Sequence, residues 1–317
     1  MDNESTTVRD IGVMLPTSSA VNGGRYGVAE LATHAEQVGF DSVWTVDHLA
    51  FQTGIVEPVV ALSAAAAVTE RVRLAFGVML AALRHPALLA KQISSLQALS
   101  GDRVVLGVGV GGENPAEWSA AGVPLCERGS RTDDILSVLP KLIAGGPATL
   151  PAPWHAEVPS LSPHGAAPPV WIGGRSTAAM ERVLCHGEGW LGLFVSPDGV
   201  ARRRQRLIEL ATWLTRPAPR MGVVLFVNVN DFDPEFAEVE AARVLHSQYG
   251  MPPEQAARHV VAGTEDEVAD ALAAYAMAGV DQLVLFPAAT DYAAQYERLG
   301  RCAAGLPRPA ELVRQPL

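Results

Sequence analysis

The chain has 317 residues, 49% hydrophobic and 18% charged, which is ordinary globular composition and long enough for one large domain or two small ones. Its formal charge of −10 at pH 7 argues against a nucleic-acid-binding surface, which needs clustered cations to meet phosphates. Cys126, Cys185 and Cys302 are too far apart for a disulfide frame or a zinc site and read as reduced thiols of a cytoplasmic protein, and no run of apolar residues is long enough to span a membrane.

The first residues, MDNESTTVRD, lack the basic-then-apolar plan of a signal peptide. "VRDIGVMLP" then reads as a strand, and "YGVAELATHAEQVG" as a helix stopped by Gly39. "DSVWTV" is the second strand, and Pro58 opens the helix of "EPVVALSAAAAVT". "VRLAFGVML" precedes a helix from Pro86 to Gly101, and "RVVLGVG" precedes helical material from Pro115 to Ile143. The second half keeps the rhythm with strands "PVWIG", "GWLGLFV", "MGVVLFVNV" and "DQLVLFP", each followed by helical sequence. The strands are short, apolar on both faces and mostly β-branched, as in a parallel sheet covered by helices. Eight such units close most simply into a (β/α)8 TIM barrel, with a doubly wound open sheet as the rival. No linker divides the chain, so residues 1–317 read as a single domain. The one irregular stretch, residues 145–169, is rich in proline and glycine and reads as an insertion at the C-terminal mouth.

The fourth unit poses a question of its own. In "RVVLGVGVGGENPAEW", Gly107, Gly109 and Gly112 spell G-x-G-x-x-G. A dinucleotide fingerprint must open a helix and be followed about 20 residues later by an acid ending the next strand. Here Asn114-Pro115 interrupts at once, and Asp133-Asp134 falls inside a helical pattern. What remains is a strand whose C-terminal end, facing the mouth of a barrel, carries almost no side chains. That bareness serves either a flat ligand or close packing against the neighbouring strand.

The strand ends deliver chemical groups to that mouth. Strand two brings Asp47 and His48, strand three ends near Gly77-Val78, strand four brings Glu113, and strand five brings Gly173, Gly174, Arg175 and Ser176. A helix opening on Gly-Gly-Arg-Ser suits a phosphate through its free N–H groups, its dipole and the arginine. Adjacent Asp-His is equally the pattern of a plain helix cap, and Glu113 that of a solvated loop. His34, His186, His246 and His259 fall in helical patterns and read as surface or packing residues, and no His/Asp/Glu set has metal-ligand spacing. Trp154, Phe194, Phe226 and Tyr249 are candidates for a substrate pocket, with a core role the plainer reading. From the residues alone, the set fits redox or proton-transfer chemistry on a phosphorylated cofactor. A phosphate-sugar isomerase or aldolase barrel competes, although neither Lys91 nor Lys141 stands at a strand end for Schiff-base chemistry.

"AEQVGFDSVWTVDHLA", "RHPALLAKQISSLQALSGDRVVLGVGVGGENPAEWSAAGVPLCERGSRTDDIL" and "PPVWIGGRSTAAMERVLCHGEGWLG" together resemble the bacterial luciferase-like superfamily, and within it the coenzyme F420-dependent class. The resemblance runs over roughly residues 8–195 and returns at "VAGTEDEVADALAAYAMAGVDQLVLFP". It implies a (β/α)8 barrel, a deazaflavin or flavin across the strand ends and a homodimer. By the same resemblance, His48 lies beside the reacting face of the ring, and Asp47 or a backbone group holds it. Gly77-Val78 matches a non-prolyl cis peptide that buttresses the ring, and Gly107, Gly109, Gly111 and Gly112 line its approach. Glu113 matches a proton-donating carboxylate, and Gly173, Gly174, Arg175 and Ser176 match the cofactor-phosphate segment. The resemblance thus implies an F420-dependent oxidoreductase acting on a small organic substrate. An FMN-dependent monooxygenase using reduced flavin and O2 is the alternative, and a catalytically idle cofactor-binding barrel is a third reading.

Overall fold

A computed structural model describes residues 7–112 and 114–309 of the chain. Eight parallel strands close into a barrel: β1 (Asp10–Met14), β2 (Ser42–Thr45), β3 (Arg73–Met79), β4 (Val104–Val108), β7 (Val170–Gly173), β8 (Gly189–Leu193), β9 (Arg220–Val229) and β11 (Gln282–Pro287). Closure comes from the β1–β11 and β8–β9 ladders, with Val13 opposite Leu285 and Leu193 opposite Val224. Helices α1 (Val28–Val38), α2 (Pro58–Ala66), α3 (Pro86–Ser100), α6 (Thr177–His186), α7 (Pro197–Trp213), α8 (Pro234–Tyr249), α10 (Glu265–Met277) and α11 (Tyr292–Ala304) cover it. Strand faces are buried both inward and toward the helices, which is why these strands read as continuous apolar runs rather than as alternating ones.

Local chemistry sets where each helix begins. Pro58, Pro86, Pro197 and Pro234 occupy first-turn positions where no N–H is missed, and Ser176, Ser196, Asp233 and Asp291 accept a backbone N–H as N-caps. Thr264 and Glu267 form a reciprocal capping box at the start of α10.

Three features depart from the expected pattern. The helical material after β4 is two helices, α4 (Pro115–Ala120) and α5 (Arg128–Ile143). Gly122, at φ +67°, and Pro124 end the first before the second begins. Between α8 and α10 the chain forms α9 (Pro253–Ala256) and then β10 (Val260–Gly263), which extends the sheet beside the far half of β9, with Val260 opposite Phe226. Finally, residues 145–169 fold as a small hairpin, β5 (Ala148–Thr149) antiparallel to β6 (Glu157–Val158). Its turn reaches the rim, where Trp154 stands edge-on to His85 at 6.4 Å. The segment then returns along α3, where Gln97 donates to the Ala166 carbonyl. None of its residues lines the cavity described next.

Candidate active site at the barrel mouth

A cavity of about 390 Å³ opens at the C-terminal ends of the strands. A second hollow of similar size, about 420 Å³, lies outside the barrel between α5 and α6, away from the C-terminal ends of the strands. In barrels of this kind the chemistry sits at the C-terminal face, so the first is the candidate.

His48 lines the cavity, and its Nδ1 lies 3.2 and 3.3 Å from the two carboxylate oxygens of Glu117. Glu117 is completely buried and also accepts from the N–H groups of Leu49, at 3.1 Å, and Ala50, at 3.5 Å. The imidazole is clamped from another side by Phe51, stacked at 3.9 Å between ring centroids. With Nδ1 engaged, Nε2 is the ring nitrogen left for chemistry, and it has no hydrogen-bond partner among the described residues. Glu117 sits in the first turn of α4, a helix seated by fully buried Trp118 against Leu80 and Ala82.

The carboxylate that holds His48 is therefore Glu117, not the adjacent Asp47. Asp47 is buried and turned the other way. It accepts from both terminal nitrogens of Arg84, at 2.5 and 3.0 Å, and from the Leu80 N–H at 2.8 Å. Arg84 reaches on to Glu57 at 2.9 Å. Burial works against the Arg84 charge, but the hydrogen bonds and charges of Asp47 and Glu57 outweigh it and hold the guanidinium above its usual pKa. Asp47 thereby ties the end of β2 to the turn after β3. Glu113, the other acid expected here, lies outside the described residues.

The glycines divide by what a side chain would meet. Gly77, Gly109, Gly111, Gly173 and Gly174 line the cavity with Val78 and Arg175, whereas Gly107, Gly112 and Ser176 do not. The Gly77–Val78 peptide bond is cis, and Val78 lies across the neighbouring strands. A Cβ on Gly109 would stand 2.3 Å from its Cγ2, and one on Gly173 2.9 Å from its Cγ1. A Cβ on Gly107 would stand 2.0 Å from the Phe76 carbonyl oxygen. Gly107 thus serves strand packing, while Gly109 and Gly173 make room for Val78, whose isopropyl group forms part of the cavity surface. Gly112, at φ +122°, packs on the Arg128 guanidinium.

Arg175 is exposed at the rim, and Ser176 caps α6 by accepting from the Ala179 N–H. Two further basic side chains gather there. Arg203 donates to the Arg175 carbonyl at 2.9 Å and lies over the Trp190 ring, while its buried Nε has no partner among the described residues. Burial and the neighbouring Arg175 charge lower its pKa. His259 is pushed toward its neutral form by burial and by the charges of Arg175 and Arg258. Neither Arg203 nor Glu117 stands out in the sequence, one hidden in an arginine run and the other in an ordinary helix turn. Glu117 is traceable only as an acid in the first turn of a helix that opens directly beyond a barrel strand.

Opposite the glycines, Phe194, Phe226, Tyr249 and Phe286 line the cavity; the first three are not simply core residues, and Trp154 contributes nothing. Among the described residues no cluster of three or more His, Cys, Asp or Glu side chains is arranged to hold a metal, and no helix is long and apolar enough to cross a membrane.

A closed parallel barrel with a buried carboxylate–imidazole pair aimed into its mouth has the construction of an enzyme. More narrowly, the chain belongs to the luciferase-like monooxygenase family, whose model matches residues 10–282. Among its relatives is the F420-dependent glucose-6-phosphate dehydrogenase of Beutenbergia cavernae, 29% identical over 302 residues that cover 83% of this chain and 88% of that one. The fold is shared with an F420-dependent secondary alcohol dehydrogenase solved with an F420-acetone adduct (TM-score 0.79, 17% identity, 93% of this chain and 98% of that one). It is also shared with the oxygenating constituent of 3,6-diketocamphane monooxygenase from Pseudomonas putida, solved with FMN (TM-score 0.75, 19% identity, 96% and 99%).

Proposed function

We propose that the protein is an F420-dependent oxidoreductase that moves hydride between the deazaflavin and a small organic substrate. The observation that carries this reading is the His48–Glu117 pair, a proton-handling group held rigidly at one side of a cavity whose opposite rim is cationic. The residues present fit a phosphorylated ring. A surface of Val78 and glycines offers a flat wall, and the start of α6 with Arg175 and the unpartnered Nε of Arg203 suits the phosphate. The bound deazaflavin supplies the carbon that accepts or gives the hydride. His48 gives or takes the accompanying proton at Nε2, and Glu117 fixes its tautomer and stabilises the imidazolium. Asp47, through Arg84, keeps the end of β2 in register with the turn after β3, and Glu113 is proposed as a second acid.

The F420-dependent dehydrogenase among the relatives supports this cofactor, while the FMN-bound fold neighbour supports the other reading, a monooxygenase that uses reduced FMN and O2. Titrating the protein with F420 and with FMN, each oxidised and reduced, decides between them. Saturable F420 binding with none for FMN is expected. FMN binding with rapid O2 consumption establishes the monooxygenase, and binding of neither removes both. His48→Ala is expected to lower kcat about 100-fold or more while leaving cofactor affinity intact. Unchanged turnover in that variant removes the role of His48.

We further propose a homodimer in a reducing cytoplasm. Val60 and Leu88, 63% and 57% exposed on neighbouring α2 and α3, offer an uncovered apolar face, and the three cysteines are free thiols.

A further inference from the structure

The half of the mouth opposite the glycines is a continuous aromatic surface. Phe286 stacks on Phe226 with centroids 4.5 Å apart, and Phe226 stacks on Phe194 at 5.8 Å. Tyr249 meets Phe194 and Phe226 edge-on at 5.3 and 6.0 Å, and meets Phe51 at 5.7 Å. Phe51, which stands outside the cavity lining, lies flat on His48, so a chain of ring contacts links the proton-handling imidazole to the β11 side of the barrel. Phe194 occupies the left-handed backbone region at φ +56°, an uncommon conformation for a bulky residue, and so holds its ring in the cavity against a conformational penalty. Leu193, Val224 and Met251 line the same cavity.

Polar groups are as informative by their placement. The charged residues among those lining the cavity are Asp47, His48 and Arg175. Asp47 is neutralised by Arg84, and Arg175 stands on the opposite rim with the phosphate-suited start of α6. Tyr249 is the single side-chain hydroxyl among the lining residues. A sugar phosphate placed here would bring a dianion, and the one cationic side chain lining the cavity besides His48, Arg175, is assigned above to the cofactor phosphate. Its ring of hydroxyls would face aromatic carbon, each losing water without a replacement partner.

We propose that the substrate is an uncharged, flat aromatic or fused-ring molecule, bound face-on or edge-on to the Phe194–Phe226–Phe286 surface with its one polar oxygen directed at His48. Offset-stacked and edge-to-face contacts of that kind favour rings over sugars, and the polar oxygen pairs with His48 Nε2, the ring nitrogen that the Glu117 contact leaves open. The placement of the oxygen rests on the function proposed above, but the ring preference rests on the aromatic surface alone.

The test is equilibrium binding, read by saturation-transfer NMR and calorimetry on protein loaded with whichever of F420 or FMN binds. The probes are two neutral bicyclic compounds with one oxygen each, 1-tetralone and 2-naphthol, set against glucose 6-phosphate. Binding of at least one bicyclic probe and none of the sugar phosphate is expected. Phe194→Ala should weaken the bound probe about tenfold, the loss of one aromatic pair with its buried area, while cofactor affinity stays unchanged. Phe194→Leu, which keeps the apolar bulk but not the flat face, should weaken it less than Phe194→Ala and more than not at all. The proposal is overturned if no bicyclic probe binds, if glucose 6-phosphate binds more tightly, or if both Phe194 variants bind the probe as the parent does. If neither cofactor binds, the oxidoreductase reading fails on its own, and the same titration of the cofactor-free protein still decides the ring preference.

Discussion

Along β3, β4 and β7 the mouth is lined by residues with little or no side chain, whereas along β8, β9 and β11 it is lined by stacked phenyl rings. The first arc derives its shape from backbone, from Val78, which its glycines admit, and from Leu80 and Val110. The second derives its shape from mass. The two respond oppositely to substitution: the glycine arc fails when a methyl group is added, and the aromatic arc fails when one is removed. A cavity bounded this way has one wall suited to a large flat group lying close to backbone and another suited to an apolar partner packed against it.

The largest effect is expected from emptying the aromatic arc at its centre. Phe226 is 1% exposed and touches Phe194, Tyr249 and Phe286. Phe226→Ala should cost about 3–5 kcal/mol, seen as a lower urea midpoint at unchanged m-value. A loss below about 1 kcal/mol would mean that this arc is not part of the packed barrel and that the comparison is wrong.

Filling the glycine arc at Gly107 should come next. Its Cβ would meet a carbonyl oxygen of β3, which cannot rotate away, so strand separation is the only relief. Gly107→Ala should cost about 3 kcal/mol, the upper range for overpacking, and thermal unfolding should shift down by roughly 5 °C or more. Gly109→Ala is the sharper probe and the smaller effect, about 1 kcal/mol, because its Cβ meets the tip of Val78 instead of backbone. Val78→Ala introduced with it should recover most of the loss, a coupling readable in a double-mutant cycle. Gly107→Ala should gain nothing from the same second substitution. Equal rescue of both would break the distinction between the two glycines.

Much of this architecture is visible in the sequence, because apolar runs, first-turn prolines and capping residues are local signals, and eight of each rhythm leave few topologies. Every barrel strand lies within one of the apolar runs except β9, which begins one residue earlier, at Arg220. The hairpin of residues 145–169 and β10 escape because each is at most four residues long and takes its partner from tertiary contact. At the mouth, Asp47 and His48 are legible as a pair at a strand end, yet chain adjacency misleads about which carboxylate serves the histidine. Beyond the end of β2, Asp47 turns to Arg84 while the partner of His48 arrives 69 residues later, on α4. The glycine run advertises itself, but only contact geometry separates Gly107, which packs, from Gly109, which shapes the cavity through Val78. The aromatic arc is scattered over four segments of chain, and nothing in its spacing shows that Phe194, Phe226, Tyr249 and Phe286 meet.

The smallest effect tests the seam where the arcs join. His259 stands 5.0 Å from Phe194, and burial first, then the charges of Arg175 and Arg258, hold its pKa below the ordinary histidine value of about 6.5. A histidine depressed in the folded state prefers to be neutral there. Above about pH 6.5 both states are neutral and its contribution is intact; as pH falls below that, the unfolded chain takes up the proton first and stability is lost until the folded value is passed. His259→Asn should therefore lose less stability than the parent between about pH 7 and 5, with the difference vanishing at neutral pH and above. An anion held at the Arg175–Arg258 seam would offset the depressing charges, so saturating inorganic phosphate should flatten the pH dependence of the parent and leave that of His259→Asn unmoved. Equal flattening in both proteins would locate the anion away from the seam, and the cationic rim would then belong to the glycine arc alone.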